Sequence, residues 1–190
     1  MEGKYWLHLA THGFVLGADC RLPDPGTREI RLPSPVQDPS PRHLPTNPLL
    51  LAGLALAGAA SRNQAPDERE DGILTAEEVA CMNLHGVECV VLSSCKTGVG
   101  PVESSEGVLS LCRGFQIAGA RTLVMSLWSV SDAHTRSWMR AFYTSALEGG
   151  LGAADAAHAA NVTVLASLRR AGASTHPFYW GGFVTAGAWK

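Results

Sequence analysis

The chemistry in this chain concentrates in two stretches with the same grammar. Val90-Val91-Leu92-Ser93-Ser94-Cys95-Lys96-Thr97-Gly98 is an apolar run that stops in small polar residues, a thiol and a glycine. Tyr5 to Ala10 is a second apolar run, and it stops in Thr11-His12-Gly13-Phe14. Continuous β-branched and leucine residues read as a strand buried on both faces, as in a parallel sheet. The carboxyl end of such a strand is where open α/β sheets place ligands and reacting groups. A cysteine needs a base, or a cation that favours its thiolate, to attack at neutral pH. Histidine titrates in the right range to serve. Cys95 is therefore read as a nucleophile and His12 as its base, 83 residues apart (95 − 12), which leaves room for a crossover between parallel strands.

His134 is the second candidate base, because Ser126 to Asp132 also leaves a strand end. His8 falls inside a strand, and His85, His158 and His176 have no strand-end setting. Acyl transfer also needs donors for the oxyanion, and backbone N–H groups beside the nucleophile can supply them. Gly13 and Cys95 are the natural pair, since glycine lets the backbone approach a substrate closely. No acid is placed to orient His12, which a cysteine dyad tolerates.

Length and charge bound the alternatives. The 190 residues suit one domain with a real core, and the net charge of −2 gives no footing for nucleic acid. The longest apolar run, Leu49 to Ala60, is too short for a bilayer, and the start has no signal-peptide pattern. Five cysteines without a C-x-x-C pair favour free thiols in a reducing compartment, so a cytoplasmic protein without metal or cofactor is expected. Cys89 and Cys112 read as small core hydrophobes.

The positioning elements follow from periodicity. Thr75 and Glu78 form a capping-box signature, with a short helix expected to about Leu84 and a buried strand from Val87 to Ser93. Helices are expected over Glu106–Ala118, Ala133–Leu147 and Ala153–Ala171, a third strand over Thr122–Leu127, and an aromatic strand over Pro177–Val184. Leu49–Leu56 suits a short strand or hairpin. Nine of the eleven prolines lie between Asp19 and Asp71, so about 19–48 is expected to be an exposed loop. The alternation of elements predicts an α/β domain with a mainly parallel sheet flanked by helices.

Six motifs then carry a resemblance. His8–Gly13, Gly72–Val79, Val90–Gly98, Glu106-Gly107-Val108, Ala118–Asp132 and His176–Phe183 together resemble the CHAT domain, a caspase-like, separase-related cysteine peptidase domain often joined to TPR repeats. The resemblance runs from residue 5 to 190 in the family's order. It implies a three-layer caspase-haemoglobinase fold, with His12 and Cys95 as the catalytic dyad. It also implies that Asp132 holds a basic P1 side chain, as a charge pair in a partly desolvated pocket. The plainer role for Asp132 is an N-cap for the 133–147 helix, and for Glu106 a first-turn acid.

Two departures accompany the resemblance. The family's preceding βαβ portion is missing, so 1–190 is expected to be a fragment whose sheet neighbours lie upstream or in another chain. Lys96 replaces a common acid after the cysteine, and its ammonium favours thiolate. Arg21, Arg28, Arg31 and Arg42 in the proline-rich loop are candidate autocleavage positions. The expected partners are a protein substrate and a TPR or other sensor module, with no nucleic acid and no membrane. The alternatives are a catalytically silent interaction domain on the same fold, or a thiol hydrolase acting on esters or amides.

Overall fold

The structure, a computed structural model, describes residues 5–15, 47–60, 71–93, 103–128 and 130–188, with only the backbone described over 103–108. In chain order the elements are β1 (Tyr5–Leu9), β2 (His12–Val15), β3 (Ala52–Ala55), β4 (Ile73–Thr75), α1 (Ala76–Ala80), β5 (Val87–Leu92), α2 (Glu103–Ile117), β6 (Thr122–Ser126), α3 (Asp132–Tyr143), α4 (Ala153–Arg170) and β7 (Phe183–Gly187). Short 3-10 turns lie at Pro48–Leu50 and Pro177–Tyr179, and a π-helical turn, Thr144–Glu148, extends α3.

The apolar runs Cys89–Leu92 and Leu123–Met125 become the centre of a four-stranded sheet, ordered β1-β5-β6-β7, with the run from Tyr5 as its edge strand. β1, β5 and β6 run parallel, and β7 returns antiparallel on β6. Side chains alternate across a strand, so each central strand feeds two cores. Cys89, Val91 and Val124 face α3 and α4. Val90, Leu92, Leu123 and Met125 face α1, α2 and β3. The result is three layers, a mainly parallel sheet between helices, as the alternation of elements predicted.

Local chemistry sets where the helices begin and end. Thr75 accepts from the Glu78 N–H while Glu78 accepts from the Thr75 N–H, a complete capping box that starts α1. The helix is shorter than its signature suggested and ends at Ala80. At the end of α2, Gly119 takes φ +102°, with its N–H on the Gln116 carbonyl and that of Ala120 on the Phe115 carbonyl. This Schellman closure turns the chain directly into β6.

A second, three-stranded antiparallel sheet, β2-β3-β4, was not foreseen as a unit. Its strands have three or four residues, too few for a clear alternation. Ile73–Thr75, directly before the helix that Thr75 caps, pairs with β3. Gly53 makes the sheet possible: a Cβ there would stand 2.6 Å from the Phe14 ring and 2.7 Å from the Leu74 carbonyl. The closing aromatic stretch also divides, into the 177–179 turn and a β7 that begins only at Phe183.

The α3/α4 layer is bonded by aromatics seated on alanines. Trp138 stacks on Phe142 and Phe183 at centroid distances of 5.1 and 4.2 Å, over Ala156, Ala157 and Ala160 of α4. The Trp138 indole N–H donates to Asn161 Oδ1 at 2.7 Å, which satisfies its one buried donor. Among the described residues no helix is long and apolar enough to cross a membrane. Phe142 is fully buried, so Phe142→Ala is expected to lower unfolding stability by about 3–5 kcal/mol, read as a lower urea midpoint with unchanged slope.

Candidate active site

Register levels the strand ends on which the site depends. Leu9 pairs with Leu92, and Leu92 pairs with Met125. The last ladder bond between the first two strands is Ser93 N–H to the Leu9 carbonyl, at 3.3 Å. Three chain segments therefore leave the same edge of one sheet. His12 follows Leu9 by three residues (12 − 9), Cys95 follows Leu92 by three (95 − 92), and Asp132 follows Met125 by seven (132 − 125). Cys95 itself lies outside the described residues, as do Lys96, the four loop arginines, nearly all of the 19–48 segment and the side chain of Glu106.

His12 does not sit on the end of β1. It is the first residue of β2, exposed, and paired in register with Ala55. Thr11, at the corner between the two sheets, donates its hydroxyl to the Ala55 carbonyl. β3 is rooted in the α1/α2 core through Ala52 and Leu54, both fully buried. The histidine is thus carried by a strand whose neighbour is anchored in the core, which holds its backbone at the sheet edge. Gly13 is buried and opposite Leu54.

Asp132 opens α3, exposed in its first turn, where a carboxylate complements the helix dipole. The N-cap position belongs to Ser131, whose side chain makes no capping bond. Its hydroxyl is instead shared with His134 Nδ1. The N-cap role weighed for Asp132 is therefore not the one it plays, and His134 is engaged within its own helix turn.

The segment leading to Asp132 is held by the C-terminal aromatics. Leu127 N–H bonds to the Gly182 carbonyl at 2.8 Å, and Trp128 donates its indole N–H to the Phe178 carbonyl at 3.0 Å. Trp128 also stacks on the Phe178 ring at 6.3 Å, and the His134 ring lies 5.3 Å from Tyr179. A Cβ on Gly182 would come within 2.5 Å of Val130, so glycine allows this closure. The His176–Phe183 motif thus serves to fix the β6–α3 connection.

Sequence reasoning passed over His8 because it lies within a strand. Its Nε2 is 3.0 Å from Ser93 Oγ, and its Nδ1 is 2.9 Å from the Tyr143 hydroxyl at the end of α3. Parity was the available signal: Trp6 and His8 share a face, and Trp6 meets Phe142 and Tyr143 of α3. Burial of the ring lowers the His8 pKa from its ordinary 6.5. Burial pushes the Tyr143 phenol up to about 12, with a smaller contribution from Cys89, so it remains a neutral hydroxyl. Cys89 is pushed up to about 12 by burial and then by Glu88, and burial raises Cys112. Both are inert core thiols, as expected, whereas Cys81 is an exposed free thiol. Among the described residues no cluster of His, Cys, Asp and Glu could hold a metal ion.

A depressed histidine pKa means that the unfolded chain binds more protons between the two values. The His8 contribution to stability is complete above pH 6.5 and is lost as pH falls through 6.5 towards the lowered folded value. Denaturant unfolding from pH 7.5 down to 5 should show a smaller loss of stability in His8→Gln than in the unaltered chain, while an equal loss would remove His8 from the titration.

Comparison with known proteins places this architecture. The family model of the CHAT domain matches residues 4–188. Tetratricopeptide repeat protein 28 of Mus musculus and of Homo sapiens are each 34% identical over 116 residues. That alignment covers 61% of this chain and 4% of either relative, so the chain spans a small part of their length.

Proposed function

Because this chain belongs to the CHAT domain family, we propose that it is a cysteine endopeptidase working through Cys95 and His12. The observation that carries the reading is the register Leu9–Leu92–Met125, which starts the segments bearing His12, Cys95 and Asp132 from one sheet edge. Sites of this kind recruit residues from the carboxyl ends of several parallel strands. Cys89 and Cys112 are core-buried with raised pKa values, which counts against either as the nucleophile.

The reaction follows from the residue types. The Cys95 proton passes to His12, and the thiolate sulfur attacks the scissile carbonyl. The resulting oxyanion takes hydrogen bonds from the N–H groups of Gly13 and Cys95. His12 returns the proton to the departing amine as the C–N bond breaks, which leaves a thioester on Cys95. Water, deprotonated by His12, attacks the thioester, releases the carboxylate and restores the thiol. Lys96, next in the chain, favours the thiolate by its charge.

Asp132 supplies specificity for a basic P1 residue. Its exposed carboxylate stands at the start of α3 on a connection fixed by Trp128 and Phe178. A guanidinium or ammonium would pair with it in a charge-assisted contact. Because the mouse and human relatives are named for tetratricopeptide repeats, a repeat-bearing sensor module is the proposed partner that switches the enzyme.

A peptidyl-arginine electrophile should label Cys95 in the activator-supplied protein, and Cys95→Ala should lose the label entirely. Absence of Cys95-dependent labelling would leave the silent interaction domain as the reading. Asp132→Asn should lower kcat/KM after Arg and Lys by about 10–100-fold, the worth of one charged hydrogen bond, while cleavage after neutral residues stays the same. An unaltered P1 profile takes Asp132 out of the pocket, and cleavage of esters without P1 preference points to a thiol hydrolase.

A further inference from the structure

We infer that His8 is a positioning residue for the Cys95 nucleophile, pinning the carboxyl end of β5 at Ser93 while Tyr143 of α3 fixes its ring. The inference rests on the reading of Cys95 as a nucleophile and adds a residue that reading does not use.

The geometry is specific. His8 pairs with Val91 in the parallel ladder, so Ser93, two residues on, lies on the same face of the sheet. Backbone pairing between β1 and β5 ends with the Ser93 N–H on the Leu9 carbonyl. The side-chain bond from His8 Nε2 to Ser93 Oγ, at 3.0 Å, adds a second restraint where the ladder runs out, two residues before Cys95 (95 − 93). The other ring nitrogen is 2.9 Å from the Tyr143 hydroxyl, and the two rings lie 5.7 Å apart. Each neutral tautomer uses one nitrogen as donor and the other as acceptor, and both neighbours are hydroxyls that can do either. Both nitrogens are therefore satisfied at once, which leaves the ring little freedom to turn.

Tyr143 ends α3 and Asp132 begins it. Eleven residues of helix (143 − 132) separate them by about 16 Å at 1.5 Å per residue. Trp6, beside His8 on β1, packs on Phe142 and Tyr143 at 5.8 and 6.0 Å and holds that helix end to the strand. One rigid helix thus ties the proposed P1 acid to the strand end that leads to the nucleophile. A misplaced nucleophile loses the contact with its base that makes it a thiolate, so a weakened pin should register as a less reactive Cys95.

The two nitrogens can be replaced separately. A glutamine amide reaches the Nε2 position and keeps the Ser93 contact, whereas an asparagine amide reaches only the Nδ1 position and keeps the Tyr143 contact. The test follows alkylation of each cysteine by iodoacetamide across pH, site by site by mass spectrometry, in the full chain. In His8→Asn and Ser93→Ala, Cys95 should react about tenfold more slowly at pH 7 and its pH midpoint should rise by about one unit. His8→Gln should stay within about twofold of the unaltered protein. Exposed Cys81 should react alike in all of them, and buried Cys89 should stay protected, which reports that the variants are folded. Equal Cys95 rates and midpoints in all variants overturn the inference. So does a Cys95 change that appears only together with Cys89 exposure. The peptidase reading is scored separately by the peptidyl-arginine electrophile on the unaltered protein. If Cys95 ignores that probe while the iodoacetamide differences persist, the peptidase reading falls and the role of His8 stands.

Discussion

The register of three parallel strands is the constraint on which the rest depends. β5 and β6 are buried on both faces, and a slip of one residue would turn Val91 and Val124 from the α3/α4 core into the other one. Hydrophobic burial on two sides therefore fixes the ladder, at roughly 1.5–3 kcal/mol for each fully buried large apolar side chain. Because the ladder is fixed, Leu9, Leu92 and Met125 end level, and everything beyond them starts from one edge. The proposed chemistry is in this sense a by-product of core packing.

The small sheet and the two helical layers translate that edge into side-chain positions. β2 leaves the main sheet after Thr11, whose hydroxyl bonds the Ala55 carbonyl and fixes the corner. β3 carries the load, since Ala52 and Leu54 lie in the same core as Leu92 and Met125. On the opposite face, α3 presses Trp138 and Phe142 onto the sheet because α4 offers alanines at the contact. Shape complementarity of large on small gives the α3 axis a defined place. Asp132 and Tyr143, at its two ends, inherit that precision.

The main sheet and its layers were legible because their signals are strong and local. Cys89–Leu92 and Leu123–Met125 are unbroken apolar runs, and the Thr75/Glu78 box marks a helix start by hydrogen-bond chemistry alone. The second sheet was not legible as a sheet. Its pairings join His12 to Ala55 and Gly53 to Thr75 across long sequence separations, in strands too short to show a period. Ser131 rather than Asp132 precedes the first turn of α3, a one-residue shift of the kind helix ends commonly show. His8 was hidden for a different reason. A histidine inside a strand is read as a packing residue, and only the fold puts a tyrosine 135 positions away against it.

That last case separates two kinds of site residue. His12 and Cys95 stand out by sequence because their neighbours change character abruptly, from apolar to small and polar. A residue that acts through another has no such boundary. His8 sits among Trp6, Leu7 and Leu9 and reaches the end of β5 through Ser93, so its meaning depends on which face of the strand it occupies. The two roles also ask for different protonation behaviour. A catalytic base must gain and lose a proton during turnover, near the working pH. A positioning histidine does best when one form persists, and the desolvation that lowers the pKa of His8 favours its neutral form. Both ring nitrogens of His8 are also engaged, by Ser93 and by Tyr143, which suits the holding role proposed for it better than that of a base. With the proton transfers proposed for His12, at the corner between the two sheets, the two histidines of one short motif would be complementary rather than redundant.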